Sequence, residues 1–116
     1  MNPESLPPAT TPQPPAADCL LTLAAPRALE EELSDALLEQ PALVPGFSLV
    51  PSQGVGQNLA LATAMEQVQG RAQRVLVQVA MRQADVEPLL QHLRGHFGGA
   101  QIAYWVVPLL AFGRFA

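Results

Sequence analysis

The chain has 116 residues, a net charge of −4 and no lysine; its cations are Arg27, Arg71, Arg74, Arg82, Arg94 and Arg114. Scattered arginines exclude a nucleic-acid footprint, which needs clustered positive charge against phosphates, and disfavour an anionic membrane surface. With 49% apolar and only 14% charged residues, the composition suits a single small domain with more apolar surface than it can hide alone.

Residues 1–17 carry Pro3, Pro7, Pro8, Pro12, Pro14 and Pro15 among small polar residues, without a period, and read as an extended, disordered tail. The segment lacks a basic start and an apolar stretch of signal-peptide form, so a cytoplasmic protein is expected. Cys19 is the sole cysteine, which excludes an internal disulfide. A domain over 18–116 then opens with a strand at 20–24. Pro26 suits the first position of a helix, where a missing N–H costs nothing. Glu30, Glu31 and Glu32 favour the positive end of that helix, and Leu29, Leu33, Ala36 and Leu37 recur at helical spacing. Pro41 ends it, and Gly46 opens a second strand at 47–50.

A long connection follows, from Pro51 to about Gln73, of a length that tends to be functional or disordered. Within it Asn58 can cap a short helix with Leu61, Met65 and Val68 on one face and Gly70 as its stop. A third strand spans 74–81, with Val75, Val77, Val79 and Met81 on one side. Asp85 is placed to cap a second helix that tolerates Pro88 in its first turn and buries Val86, Leu89, Leu90, Leu93 and Phe97. Gly98 and Gly99 stop it.

The last strand starts at Ile102 and is apolar on both sides, with Ile102, Tyr104 and Val106 facing one way and Ala103, Trp105 and Val107 the other. A sheet with helices on one side should alternate apolar and polar, so its second face is also expected to be buried, against another copy of the chain or a partner. The same run contains Pro108 and is too short to span a bilayer, so no direct membrane insertion is expected.

The order strand, helix, strand, strand, helix, strand is the α+β, ferredoxin-like βαββαβ arrangement: a four-stranded antiparallel sheet with two helices on one face. The open face is expected to hold Leu20, Leu76, Trp105 and Val107, or their alternates along each strand if the register shifts by one; either set leaves that face largely apolar. No nucleophile, base and orienting acid form a recognisable set, and no P-loop, dinucleotide fingerprint or hydrolase motif occurs, so no enzyme is expected. His92 and His96, four apart on the second helix, share a face and could chelate a transition metal. No third ligand is near in sequence, and two histidines on a solvated face is the plainer reading. Cys19 is a further candidate metal ligand, or a small buried hydrophobe.

Three short motifs carry a resemblance to the PII-like superfamily of small signalling proteins. They are Ala25-Pro26-Arg27-Ala28-Leu29 after the first strand, Gly46 followed by Gly54-Val55-Gly56, and Gly98-Gly99-Ala100-Gln101-Ile102 before the last strand. Tyr104-Trp105-Val106-Val107-Pro108 with Gly113-Arg114 resembles the C-terminal signature of a PII-like family of unknown function often encoded beside heavy-metal efflux pumps. The resemblance implies a regulatory homotrimer with ligand clefts between subunits. Gly54, Gly56, Gln57, Gln101 and Arg114 are the cleft candidates, and a membrane metal-efflux transporter is the partner. Gly54 and Gly56 serve equally as a tight bend leaving a strand. Gln101 stands where PII proteins carry a phosphate-binding lysine, and Gln57 where they carry an arginine. The ligand is therefore left open between an adenine nucleotide and a transition metal. The second reading is a metal-tolerance protein similar in architecture to the CutA proteins.

Overall fold

A computed structural model describes residues 16–54 and 72–115. The described elements run β1 (Cys19–Pro26), α1 (Glu30–Leu38), β2 (Ser48–Gly54), β3 (Ala72–Met81), α2 (Val86–Phe97) and β4 (Ala103–Pro108), besides two short 3₁₀ turns. The sheet order is β2-β3-β1-β4 and every neighbouring pair is antiparallel. This is the ferredoxin-like arrangement expected from the order of elements. The proline-rich tail (through residue 15), the helix proposed within 58–70, Gly56 and Gln57 lie outside the described residues. Among the described residues no helix is long and apolar enough to cross a membrane.

The core forms because alternate residues of the two central strands meet the apolar stripes of both helices. Cys19, Leu21, Leu23 and Ala25 of β1 lie beside Val75, Val77, Val79 and Met81 of β3, all buried. Leu33, Ala36 and Leu37 of α1 and Val86, Leu89, Leu90 and Leu93 of α2 cover them. Each fully buried side chain of this size contributes about 1.5–3 kcal/mol relative to exposure. Phe97 and Val106 pack only partly against the core.

Register places the opposite residues of each strand on the open face. Leu20, Thr22 and Ala24 of β1 pair with Ala80, Gln78 and Leu76 of β3 and with Val107, Trp105 and Ala103 of β4. Ser48, Val50 and Ser52 of β2 complete it beside Gln78, Leu76 and Arg74. Leu20, Leu76, Trp105 and Val107 thus share this face, as the alternation predicts. Trp105 and Val107 are exposed in the single chain, while a polar row of Ser48, Gln78 and Thr22 crosses the sheet between apolar groups.

Several boundaries differ from the sequence expectation for identifiable reasons. Pro26 ends β1 and precedes a 3₁₀ turn (Arg27–Leu29) instead of opening the helix, which starts at Glu30. Glu30, Glu31 and Glu32 do occupy the first turn of α1. β2 continues past Val50 through Pro51 to Gly54, because β2 is an edge strand, where a residue without an N–H is tolerated. Asp85 stands at the cap position of α2 but makes no capping bond. Its carboxylate instead accepts two hydrogen bonds from Arg82, each 3.0 Å, a forked charge-assisted pair that outcompetes a neutral backbone donor. Gly99 ends the turn after α2 with φ +90°, a conformation that disfavours any side chain, and a Cβ on Gly98 would meet the Arg94 carbonyl at 3.1 Å.

If α2 packs as described, Leu89→Ala should lower the unfolding free energy by about 2–5 kcal/mol. Leu38→Ala, at a residue 68% exposed, should cost about 0.5 kcal/mol or less. Urea denaturation at one protein concentration, followed by circular dichroism, measures both.

Candidate functional site

One end of the sheet gathers two of the segments singled out by motif, 25–29 and 98–102. β1 delivers Ala24 and Pro26, the 3₁₀ turn delivers Arg27, and the glycine turn after α2 delivers Gln101. Arg74 joins them. It lies across from Pro26 on one side and Ser52 on the other, and is only 5% exposed. Its Nη2 donates to the carbonyl of Ala24 at 2.9 Å and to that of Gln101 at 3.2 Å. Arg27 Nε in turn donates to the Arg74 carbonyl, 3.4 Å away. One guanidinium thus staples the start of β4 to the end of β1.

The electrostatics of this corner are unbalanced. Arg74 has no ion-pair partner among the described residues, and its buried Nη1 makes no hydrogen bond. Burial pushes its pKa down, the direction expected for a cation removed from water without a counter-charge. A buried cation with an open donor is costly unless a negative group completes it. With Arg27 adjacent, the corner is cationic in a chain of net negative charge.

The sequence candidates divide between several places. Gly54 closes β2 opposite Ala72, one outward-facing pair beyond Ser52 and Arg74, so Gly54 and Gln101 belong to the same end of the sheet. Arg114 does not. It lines a cavity of about 520 Å³ at the other end, with Leu20, Ser48, Gln78, Ala80 and Phe112, and its guanidinium lies 5.7 Å from the centre of the Phe112 ring. Behind the glycine turn, on the helix side, an apolar cavity of about 200 Å³ is lined by Leu23, Leu33, Leu93, Phe97 and Tyr104, with Arg94 at its edge. Arg94 is engaged with Glu87 at 2.9 Å, and this bond is the main cause holding the Glu87 carboxyl below its usual range.

Cys19 and the histidines are separate. The buried Cys19 thiol donates to the Met81 carbonyl at 3.4 Å. His92 and His96 do share a face of α2, and Glu39, the residue that caps the C-terminal end of α1, lies 3.3 Å and 3.5 Å from their Nε2 atoms. Sequence reasoning missed both Arg74 and Glu39. Arg74 carried a signal, as a charge opening an otherwise apolar strand. Glu39 carried none, since only the packing of α1 on α2 brings it to residues more than fifty positions away.

The fold is PII-like. The structure resembles CPII, a nitrogen regulatory PII-like protein from Thiomonas intermedia K12 solved with ADP, AMP and bicarbonate. The match has a TM-score of 0.63 and 20% identity, and covers 84% of this chain and 93% of that one. CutA from Synechococcus elongatus PCC7942, solved with Bis-Tris, matches with a TM-score of 0.62 and 19% identity over 84% and 85% of the two chains. A DUF3240 protein from Shewanella baltica OS155 matches with a TM-score of 0.70 and 20% identity over 88% and 100%. The family model described as "Protein of unknown function (DUF3240)" matches residues 16–116, and the chain belongs to that family. A comparison with curated proteins returns no match.

Burial first, and the charge of Asp18 second, push the Cys19 thiol above its ordinary range. Its native form therefore holds a proton that the unfolded chain releases first as pH rises. The resulting stability is fully present below the unfolded thiol's pKa and is lost as pH rises through the folded one. Ellman's reagent at pH 8 should label the native thiol roughly a hundredfold more slowly than the urea-unfolded thiol. Equal rates would show that Cys19 is accessible.

Proposed function

We propose that this protein is a non-enzymatic PII-like regulator whose copies associate and bind a small anionic effector where subunits meet. The observation that carries the reading is Arg74: a buried guanidinium with an unpartnered nitrogen, beside Arg27 and the 98–101 turn. An anion arriving at this corner finds the positive charge of Arg74 and Arg27, and binding there engages the β1 end and the glycine turn together. Gln101 replaces the lysine expected from the PII resemblance, so in this reading the two arginines supply the positive charge. The likeness in fold to CPII, a protein solved with ADP, AMP and bicarbonate, supports choosing those anions as probes. Arg114 lies at the far end of the sheet within one chain, and belongs to the cleft in this reading only through a neighbouring subunit. A membrane transporter, a metal exporter in particular, is the partner on the strength of the family resemblance alone.

Association follows from the open face. Trp105, Val107, Leu20 and Leu76 are already partly covered in the single chain, so a second sheet would gain from each a fraction of the about 1.5–3 kcal/mol of a full exposed-to-buried transfer. Sedimentation at micromolar concentration should show a species larger than one chain, a homotrimer by the PII resemblance. Trp105→Glu should yield a smaller species with unchanged far-ultraviolet circular dichroism. A fully dispersed single wild-type chain would remove the intersubunit cleft.

Effector binding is tested by isothermal titration with ADP, AMP, ATP and bicarbonate on the associated protein. At least one should release heat, and Arg27→Ala should weaken that binding by roughly tenfold, the value of one charge-assisted contact. Absence of heat with all four would eliminate the reading.

A further inference from the structure

The helical layer, on the side of the sheet away from the open face, carries a second cluster of chemistry that the effector reading does not use. We propose that Glu39, His92 and His96 form a site for a divalent transition metal that ties the end of α1 to α2. The proposal does not rest on the effector reading, and either can fail without the other.

The geometry begins with helical spacing. His92 and His96 project from successive turns of α2, with ring centroids 4.8 Å apart. The packing of Leu33, Ala36 and Leu37 of α1 in the core shared with Leu89 and Leu93 of α2 brings the residue after α1 to the same spot. One ligand atom from each of Glu39, His92 and His96 lies within 4.8 Å of the other two. Tetrahedral ligands on a metal with bonds near 2.0–2.1 Å stand about 3.3 Å apart. The Glu39 oxygen already lies 3.3 Å and 3.5 Å from the two imidazole nitrogens. The third edge, between the two imidazoles, is within 4.8 Å and is the one that metal binding would have to shorten.

The second observation is an orphaned atom. His92 Nε2 is sealed from solvent and has no hydrogen bond, because the nearby Glu39 oxygen is not aligned to accept one. Buried polar nitrogens are seldom left so, and a metal ion would satisfy this one. On the other side of the ring, Gln40 Nε2 donates to His92 Nδ1 at 3.4 Å. With a metal on Nε2, Nδ1 would carry the proton, and the Gln40 carboxamide, turned over, would present its oxygen to accept it. A metal-bound histidine usually has an outer partner of this kind.

The surroundings favour a cation and leave room for exchange. Glu32 and Asp35 lie along the same groove as Glu39 and His96, and concentrate cations near the site. Glu39 and His96 are half exposed, which leaves a path for the ion and an open position for water or a further ligand. Two imidazoles and one carboxylate suit zinc, cobalt, nickel or copper(II), rather than calcium or magnesium. The thiol of Cys19 is not part of the cluster, so a soft thiolate site for copper(I) is not what is assembled here.

Tag-free full-length protein is titrated with cobalt(II), read by visible absorption, and with zinc(II), read by calorimetry and by thermal unfolding. One ion per chain is expected, with a rise in melting temperature on adding zinc. His96→Gln, at an exposed position that leaves the fold intact by circular dichroism, should weaken both metals by roughly tenfold or more, and so should Glu39→Gln. His92→Gln should do the same and abolish the zinc-dependent rise in melting temperature. If wild-type protein gives no cobalt absorption and no zinc heat, the carboxylate merely bridges two imidazoles and the proposal is overturned. Unchanged affinity in folded His96→Gln overturns it equally, since the metal would then be bound elsewhere.

Discussion

The pairing of β1 with β3, from Cys19 opposite Met81 to Pro26 opposite Arg74, is the constraint on which the other features depend. Because side chains alternate, this one register sends Leu21, Leu23, Val77 and Val79 under the helices, and Leu20, Thr22, Leu76 and Gln78 to the open face. A slip of one residue would exchange the two sets and leave both helices on a mixed surface. The same register brings Arg74 to the last pair of the ladder, within reach of Ala24 on β1 and Gln101 ahead of β4.

The two layers carry different chemistry. On the sheet side, a guanidinium held by carbonyls gathers the β1 end and the glycine turn around one positive charge. On the helix side, a carboxylate and two imidazoles face one another across the α1–α2 groove. Each arrangement joins segments that are distant in sequence, and each concentrates ligand-type groups in a chain otherwise poor in charge. In such a protein an anion and a cation could each report on the same small fold from opposite sides of its core.

Element order and the main core stripes were legible in the sequence because burial imposes period two on β3 and helical spacing on α1 and α2. The run from Ile102 to Val107, apolar on both faces, correctly placed Trp105 and Val107 on the face of the sheet away from the helices, where both are exposed in the single chain. The strand ends were harder to read. Pro51 looks like a breaker until its strand is known to be an edge, and Asp85 looks like a cap until Arg82 competes for its carboxylate. The candidate site residues divide along the same line. Gly54 and Gln101 are visible through local motifs, whereas Glu39 becomes a candidate only when tertiary packing carries it across the chain to His92 and His96. Arg74 lay between these cases: its charge was visible at the start of a strand, but its lack of a counter-ion was not.

Pro51 has one more consequence. The outer margin of β2 is the kind of border along which sheets of neighbouring molecules can zip together without limit. An imino residue has no amide hydrogen to offer an incoming strand, so the ladder that such growth requires has a gap there. Runaway fibre-like stacking is thereby discouraged at that border, and self-contact through the broad flat of the sheet, which can close on itself and stop, is left as the less hazardous route.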